Sequence, residues 1–150
     1  MENLKNIVDI FSFMVASLAL ALSAYNYMML RRDTLYKDID GLYMEVLKLA
    51  INNPRFINPD LTCDYKKKFK DDELHKYHAY AYLTWNVCET IADRHEDEDL
   101  FNTWKPVILA EDKLHGTWLD DPGNQHRFKE SFIEFIEKLR AAEKKQKKSK

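Results

Sequence analysis

IFSFMVASLALALSAYNYMML, residues 10–30, followed at once by Arg31-Arg32, is the stretch whose reading decides the fold. It carries no charged residue. As a helix rising about 1.5 Å per residue it is about 31 Å long, enough to cross the hydrocarbon core of a bilayer. A secretory signal peptide fits it less well. The preceding MENLKN sets Glu2 against Lys5, the apolar run is longer than a signal core, and two arginines close it. The run predicts one transmembrane helix. Arg31, Arg32 and Lys37 follow it, and basic residues mark the cytoplasmic flank of a span. The expected topology is N-terminus outside, with the following domain in the cytoplasm.

Working outward, the 150 residues leave room after Arg32 for one domain of ordinary size. Mean hydropathy is −0.54 despite the span, which argues against a multi-span transporter. The net charge of −2 gives no general bias toward nucleic acid. Three regions are expected: residues 1–32 as the transmembrane segment, 33–139 as a cytoplasmic helical domain, and 140–150 as a basic tail. The tail holds Arg140 and five lysines. It reads either as disordered chain near an anionic leaflet or RNA, or as the solvated end of the last helix. Cys63 and Cys88 lack metal-site spacing and read as reduced, small packing residues.

Within the span the residues segregate. Asp9, Ser12, Ala16, Ala19, Ser23 and Asn26 recur at alternating spacings of three and four, all small or polar. Phe11, Val15, Leu18, Leu22, Tyr25 and Met29 form a second, large apolar stripe. A helix alone in lipid has no reason to sort its faces in this way. The small stripe suits close helix packing in a homo-oligomer, or a water-filled lumen with Asp9 as a ring of acids at its mouth.

Beyond Arg32 the helical period continues through Leu35, Ile39, Leu42, Val46 and Leu49 to Asn53-Pro54. Gly41 is a weak point of about 1 kcal/mol. A nearly continuous helix is expected, able to pass a domain rearrangement to the span. NPRFINPD reads as a loop, followed by the basic piece Tyr65-Lys66-Lys67-Lys68-Phe69-Lys70. Asp71 or Asp72 should cap a long helix with Leu74, Tyr77, His78, Ala81, Tyr82, Trp85, Cys88 and Ile91-Ala92 on its apolar face. The next helix should start near Glu96-Asp97-Glu98-Asp99, be bent or confined by Pro106, and end at His115-Gly116. A turn at Asp121-Pro122-Gly123-Asn124 leads to a last helix from about Gln125, fraying into the lysines. No stretch shows strand alternation. The fold class is all-α: one N-terminal transmembrane helix running into a cytoplasmic bundle of about four helices.

Chemistry is sparse. His75 and His78 stand at i, i+3 on one helix, but nothing else completes a metal site, and His78 reads as a hydrogen-bonded core histidine. No Arg is followed by His at the four-to-six-residue interval of helical ribonuclease bundles; Arg94 and His95 are adjacent. Asn86, Glu89 and Arg94 read as a structural polar network, with Glu89 a hub beside Trp85 and Trp104. No catalytic residue, metal site or cofactor is assigned, and the chain reads as a non-enzyme. Lys66, Lys67, Lys68 and Lys70, interleaved with Tyr65 and Phe69, are the candidates for contact with single-stranded RNA or a cyclic oligonucleotide.

A span closed by Arg31-Arg32, then DTLYKDIDGLYMEVLKLAINNPRF, then YAYLTWNVCETIADRHEDEDLFNTWKPVI, resembles the pore-forming membrane accessory of type VI-B CRISPR systems. The resemblance covers most of the chain and rests on texture, not on a short motif. It implies a ring-shaped homo-oligomer, an octamer by analogy, in the bacterial inner membrane with a periplasmic N-terminus. It also implies functional coupling to an RNA-guided RNA nuclease and loss of membrane potential during antiphage defence. The cyclic-oligoadenylate-gated effector of type III systems is a second protein of similar design. Membrane-anchored adaptor, nucleotide-sensing effector and membrane-tethered RNase are the alternatives to a pore.

Overall fold

The computed structural model describes residues 2–94 and 97–148; the side chains of 2–5, 7–9, 35 and 148 lie outside that description. Helix α1 runs unbroken from Glu2 to Asn52. It contains no proline, and its one glycine, Gly41, is exposed with open space around its Cα. Asn53 ends it. A residue before proline is pushed out of the helical region, and Asn53 sits at φ −136°, ψ 67°. Its side-chain amide donates to the Leu49 carbonyl at 2.9 Å, satisfying one of the carbonyls orphaned at the helix end.

The chain divides into two compact units, Met1–Asp38 and Ile39–Lys150. The first is helix. Its apolar run is exposed throughout, and α1 is the one helix among the described residues long and apolar enough to cross a membrane.

In the second unit, residues 39–52 of α1 bury Ile39, Val46 and Ala50, with Tyr43 half-buried. Leu42 and Leu49, expected inside, are 44 % and 41 % exposed. The buried stripe is thus 39–43–46–50, rotated from the expected one. After α1 the chain makes a 3-10 turn, Pro54–Ile57, and two one-turn helices, α2 (Pro59–Thr62) and α3 (Tyr65–Lys68). Asn58 caps α2 by accepting from the Asp60 N–H at 3.0 Å. These short elements deliver Phe56, Tyr65 and Phe69 onto Tyr77 and Tyr80 as one buried aromatic cluster, with ring centroids 4.6–5.6 Å apart. Rings so placed, edge-on or tilted, add to the stabilisation from burial.

Helix α4 (Asp71–Ala92) is the central element. Its cap position falls on Lys70, and Asp71 adopts a left-handed φ of 46°, so neither Asp71 nor Asp72 caps it as expected. Both stand with Glu73 in the first turn, where acids favour the helix dipole. Helix α5 (Glu98–Leu119) begins at Asp97, whose carboxylate accepts from the Leu100 N–H at 3.0 Å. Asp97→Ala should lower stability by about 1 kcal/mol, read as an earlier urea midpoint at unchanged slope. Pro106 lies inside α5 and does not stop it. The Asn102 carbonyl loses its helical donor there, but both residues are exposed, which leaves the carbonyl open to solvent.

Nor does α5 end at Gly116. That residue is buried within it: a Cβ there would stand 2.9 Å from Asp112 Oδ1 and 3.0 Å from Arg140 Nη2. Glycine serves close approach at this point, not termination. Asp121 caps the short α6 (Pro122–Gln125) through the Gly123 N–H. Helix α7 (Glu130–Lys148) starts later than expected because Glu89 of α4 accepts the Lys129 N–H at 2.9 Å, which fixes the entry. It continues helically through the lysines to Lys148 instead of fraying, and Arg140, grouped with the tail by sequence, is docked on α5. Four long helical segments, residues 39–52 with α4, α5 and α7, make the expected all-α domain. Its α4–α5–α7 core holds Trp85, Ile91, Ile108, Trp118, Phe132 and Ile136, each no more than 2 % exposed.

Candidate functional site

Three places carry residues that chemistry would use. The first is the span. Ser12, Ala16, Ala19, Ser23 and Asn26 follow one another by four, three, four and three along regular α-helix. At about 100° per residue they stay within about 80° of arc, and all are exposed. The neighbouring Phe11, Val15, Leu18, Leu22, Tyr25 and Met29 are exposed as well. Asp9 belongs to the helix, but its side chain lies outside the described residues. Arg31 and Arg32 are exposed, with the Arg32 guanidinium 5.8 Å from the centre of the Tyr36 ring.

The second is the basic piece around α3. Lys66 Nζ meets Asp121 Oδ2 at 2.5 Å and Lys67 Nζ meets Asp64 Oδ2 at 3.0 Å, while Lys68 and Lys70 are exposed. The interleaved aromatics differ from expectation: Tyr65 and Phe69 are 2 % and 0 % exposed and point into the core, so no base can stack on them. Tyr65 donates its hydroxyl to Asp121 Oδ2 at 3.0 Å. With Lys66, the Gly123 N–H and the Tyr65 hydroxyl all donating to it, the Asp121 carboxyl is held down at about 2. A depressed carboxyl stabilises the fold above its ordinary value of 3.8, and that contribution is lost as pH falls from there toward about 2. Asp121→Asn should therefore remove a modest segment of acid unfolding in this window, measured by circular dichroism.

The third place was not legible as a site. Glu111 and His115, one turn apart on α5, are 5 % and 0 % exposed. Tyr43 of α1 donates to Glu111 Oε1 at 2.8 Å; Glu111 Oε2 faces His115 Nε2 at 3.5 Å; the Tyr77 hydroxyl lies 3.0 Å from His115 Nδ1. The Trp85 indole N–H donates to the His115 carbonyl at 3.2 Å. The 3.5 Å separation is longer than an ordinary hydrogen bond, and among the described residues neither facing atom has another hydrogen-bond partner. The buried Trp104 indole N–H likewise has no acceptor among the described residues, its ring edge-on to Tyr43 at 5.4 Å. Burial pushes Glu111 upward, partly offset by the Tyr43 hydroxyl, and pushes His115 down to about 4. His115 is therefore neutral at neutral pH. One signal could have found the pair: Trp104, Ile108, Glu111, His115 and Trp118 recur at spacings of four, three, four and three, the period of a buried face.

The remaining sequence candidates are structural. His78 is hydrogen-bonded as expected, accepting the Trp118 indole N–H at 2.9 Å, but it is half-buried and not in the core; His75 is exposed. Glu89 serves the start of α7, not a hub with Trp85 and Trp104. Arg94 is half-buried, and His95 lies outside the described residues. Among the described residues no three His, Cys, Asp or Glu side chains are grouped to hold a metal ion. On α7, Arg140 spans to α5: Nε and Nη2 engage the Asp112 carboxylate at 2.5–2.9 Å, and Nη1 engages Asp120 at 2.8 Å. Against family models, curated proteins and solved structures, the chain finds no match.

Proposed function

We propose that the chain assembles through residues 10–30 into a homo-oligomeric membrane pore that permeabilises or depolarises the bacterial inner membrane in antiphage defence. The observation that carries the reading is the exposed face Ser12–Ala16–Ala19–Ser23–Asn26 on the otherwise apolar run 10–30 of α1. Lipid offers this face neither close packing nor hydrogen bonds; a second span or a water column offers one or the other. The resemblance to the type VI-B accessory supplies the context: a ring, an octamer by analogy, acting beside an RNA-guided RNA nuclease. In this reading the N-terminus is periplasmic, Arg31 and Arg32 mark the cytoplasmic interface, Asp9 rings the outer mouth, and the chain is not an enzyme.

Recording from the purified chain in planar bilayers should give discrete conductance steps. Silence under every condition, with and without RNA or cyclic oligonucleotide, overturns the proposal. Ala19→Leu, which adds three carbons to the crowded face, should abolish the steps or disassemble the ring in native mass spectra. Asp9→Lys should shift selectivity from cations toward anions.

A membrane-anchored adaptor is the second reading. It is favoured by an open apolar groove of about 490 Å³ between Leu49, Phe56, Ala79, Tyr80 and Leu83. Replacing residues 10–30 by an unrelated single span separates the two readings, since an adaptor keeps protecting cells from phage and a pore does not.

A further inference from the structure

The Tyr77–His115–Glu111–Tyr43 chain joins α4, α5 and residues 39–52 of α1 through a centre almost closed to solvent. Its two hydrogen bonds, Tyr77–His115 and Tyr43–Glu111, flank a 3.5 Å His115–Glu111 contact and have a direction. With Glu111 ionised, the opposite tautomer of His115 would set a nitrogen lone pair against the carboxylate 3.5 Å away, so the neutral ring is assigned its proton on Nε2. Nδ1 is then the acceptor for the Tyr77 hydroxyl. Tyr43 donates to the same carboxylate from the other side. With Glu111 ionised, the cluster holds one negative charge where burial disfavours charge.

Around the pair, Tyr80 and Cys88 of α4 are already protonated at neutral pH, Tyr80 being pushed up to about 12 and Cys88 well above its ordinary range, both chiefly by burial. Asp112 of α5 is tied to Arg140 of α7. An added proton therefore enters at Glu111–His115. Placed on Nδ1, or on Glu111 Oε2 with the ring proton shifted from Nε2 to Nδ1, it makes Nδ1 a donor, and the Tyr77 hydroxyl must turn to accept. It also brings the net charge of the cluster to zero, so Tyr43 no longer faces an uncompensated carboxylate. A charge-assisted hydrogen bond is roughly twice as strong as a neutral one.

We propose that this chain is a proton-operated latch: one proton taken up by the Glu111–His115 pair reverses the Tyr77–His115 hydrogen bond and weakens the Tyr43 hold, freeing residues 39–52 from α5. All four groups lie in the unit Ile39–Lys150, so the latch stands whether or not residues 10–30 form a pore. Acid acts on the two partners in opposite senses. His115, held low, removes stability as pH falls from its ordinary 6.5 toward about 4, whereas Glu111, held high, gains a proton that relieves its buried charge. The pair therefore signals by local release, not by unfolding the domain.

Hydrogen exchange by mass spectrometry on the full chain in detergent, corrected for intrinsic rates, reads this directly. Between about pH 7.5 and about pH 4.5, residues 39–52 should exchange about tenfold faster at the acid end, with α7 unchanged. Glu111→Gln, whose amide donates as the protonated carboxyl would, should exchange fast at both ends and lose the step. A step that survives in Glu111→Gln, or no step in the wild type, overturns the latch. Should Glu111→Gln fail to fold by circular dichroism, nitrogen NMR of the wild-type His115 ring decides. The proton should sit on Nε2 at neutral pH, and Nδ1 should become protonated in acid; an unchanged ring overturns the proposal.

Discussion

Trp85→Ala is expected to cost about 3–5 kcal/mol, a large share of the roughly 5–15 kcal/mol that holds an ordinary domain together. Trp85 is fully buried on α4, where its indole N–H bonds the His115 carbonyl of α5 and its ring meets Phe132 of α7 edge-on at 6.1 Å. Truncation removes a side chain that touches both α5 and α7. It leaves a buried cavity and deprives the carbonyl of its indole donor. Urea melts of the detergent-solubilised chain should show the domain transition moved to low denaturant. Trp85→Phe, which keeps the ring volume in part and loses only the donor, should lose less than half as much.

Arg140→Ala should be the second largest effect, about 2–4 kcal/mol. The Arg140 and Asp112 side chains are 24 % and 16 % exposed, so solvent screens the pair less than it would a surface bridge. Burial and the two carboxylates act on Arg140 in opposite senses, and the hydrogen bonds to Asp112 win, raising its pKa. Removing the guanidinium leaves Asp112 charged without its fork and loosens α7 from α5, so the melt should lose amplitude and cooperativity together. Arg140→Lys should recover only part of the loss, since an ammonium cannot hold two carboxylates in one plane. Gly116 belongs to the same device, because it gives Arg140 room to lie across α5.

Much of the architecture was legible in the sequence. Periodicity alone announced a long apolar helix, a helical domain behind it and an aromatic face on α4, because an amphipathic helix writes its buried side every three to four residues. It misjudged boundaries where a distant partner decides. Lys129 waits for Glu89 of α4 before α7 begins, and Gly116 continues a helix that glycine usually closes because Arg140 packs over it. It also chose Leu42 and Leu49 as buried, although Tyr43 and Ala50 are the residues turned inward; a flank two residues wide shifts by a small rotation that no local pattern encodes.

By itself, then, the sequence determined the candidate span, residues 10–30, and the sorting of its faces, since the length of an apolar run and its helical period are local properties of the chain. Only the tertiary structure decided that Glu111, His115, Tyr43 and Tyr77 meet. They come from three elements up to 72 positions apart, and a buried hydrogen-bond chain exists only once packing has excluded water and left each polar group no other partner.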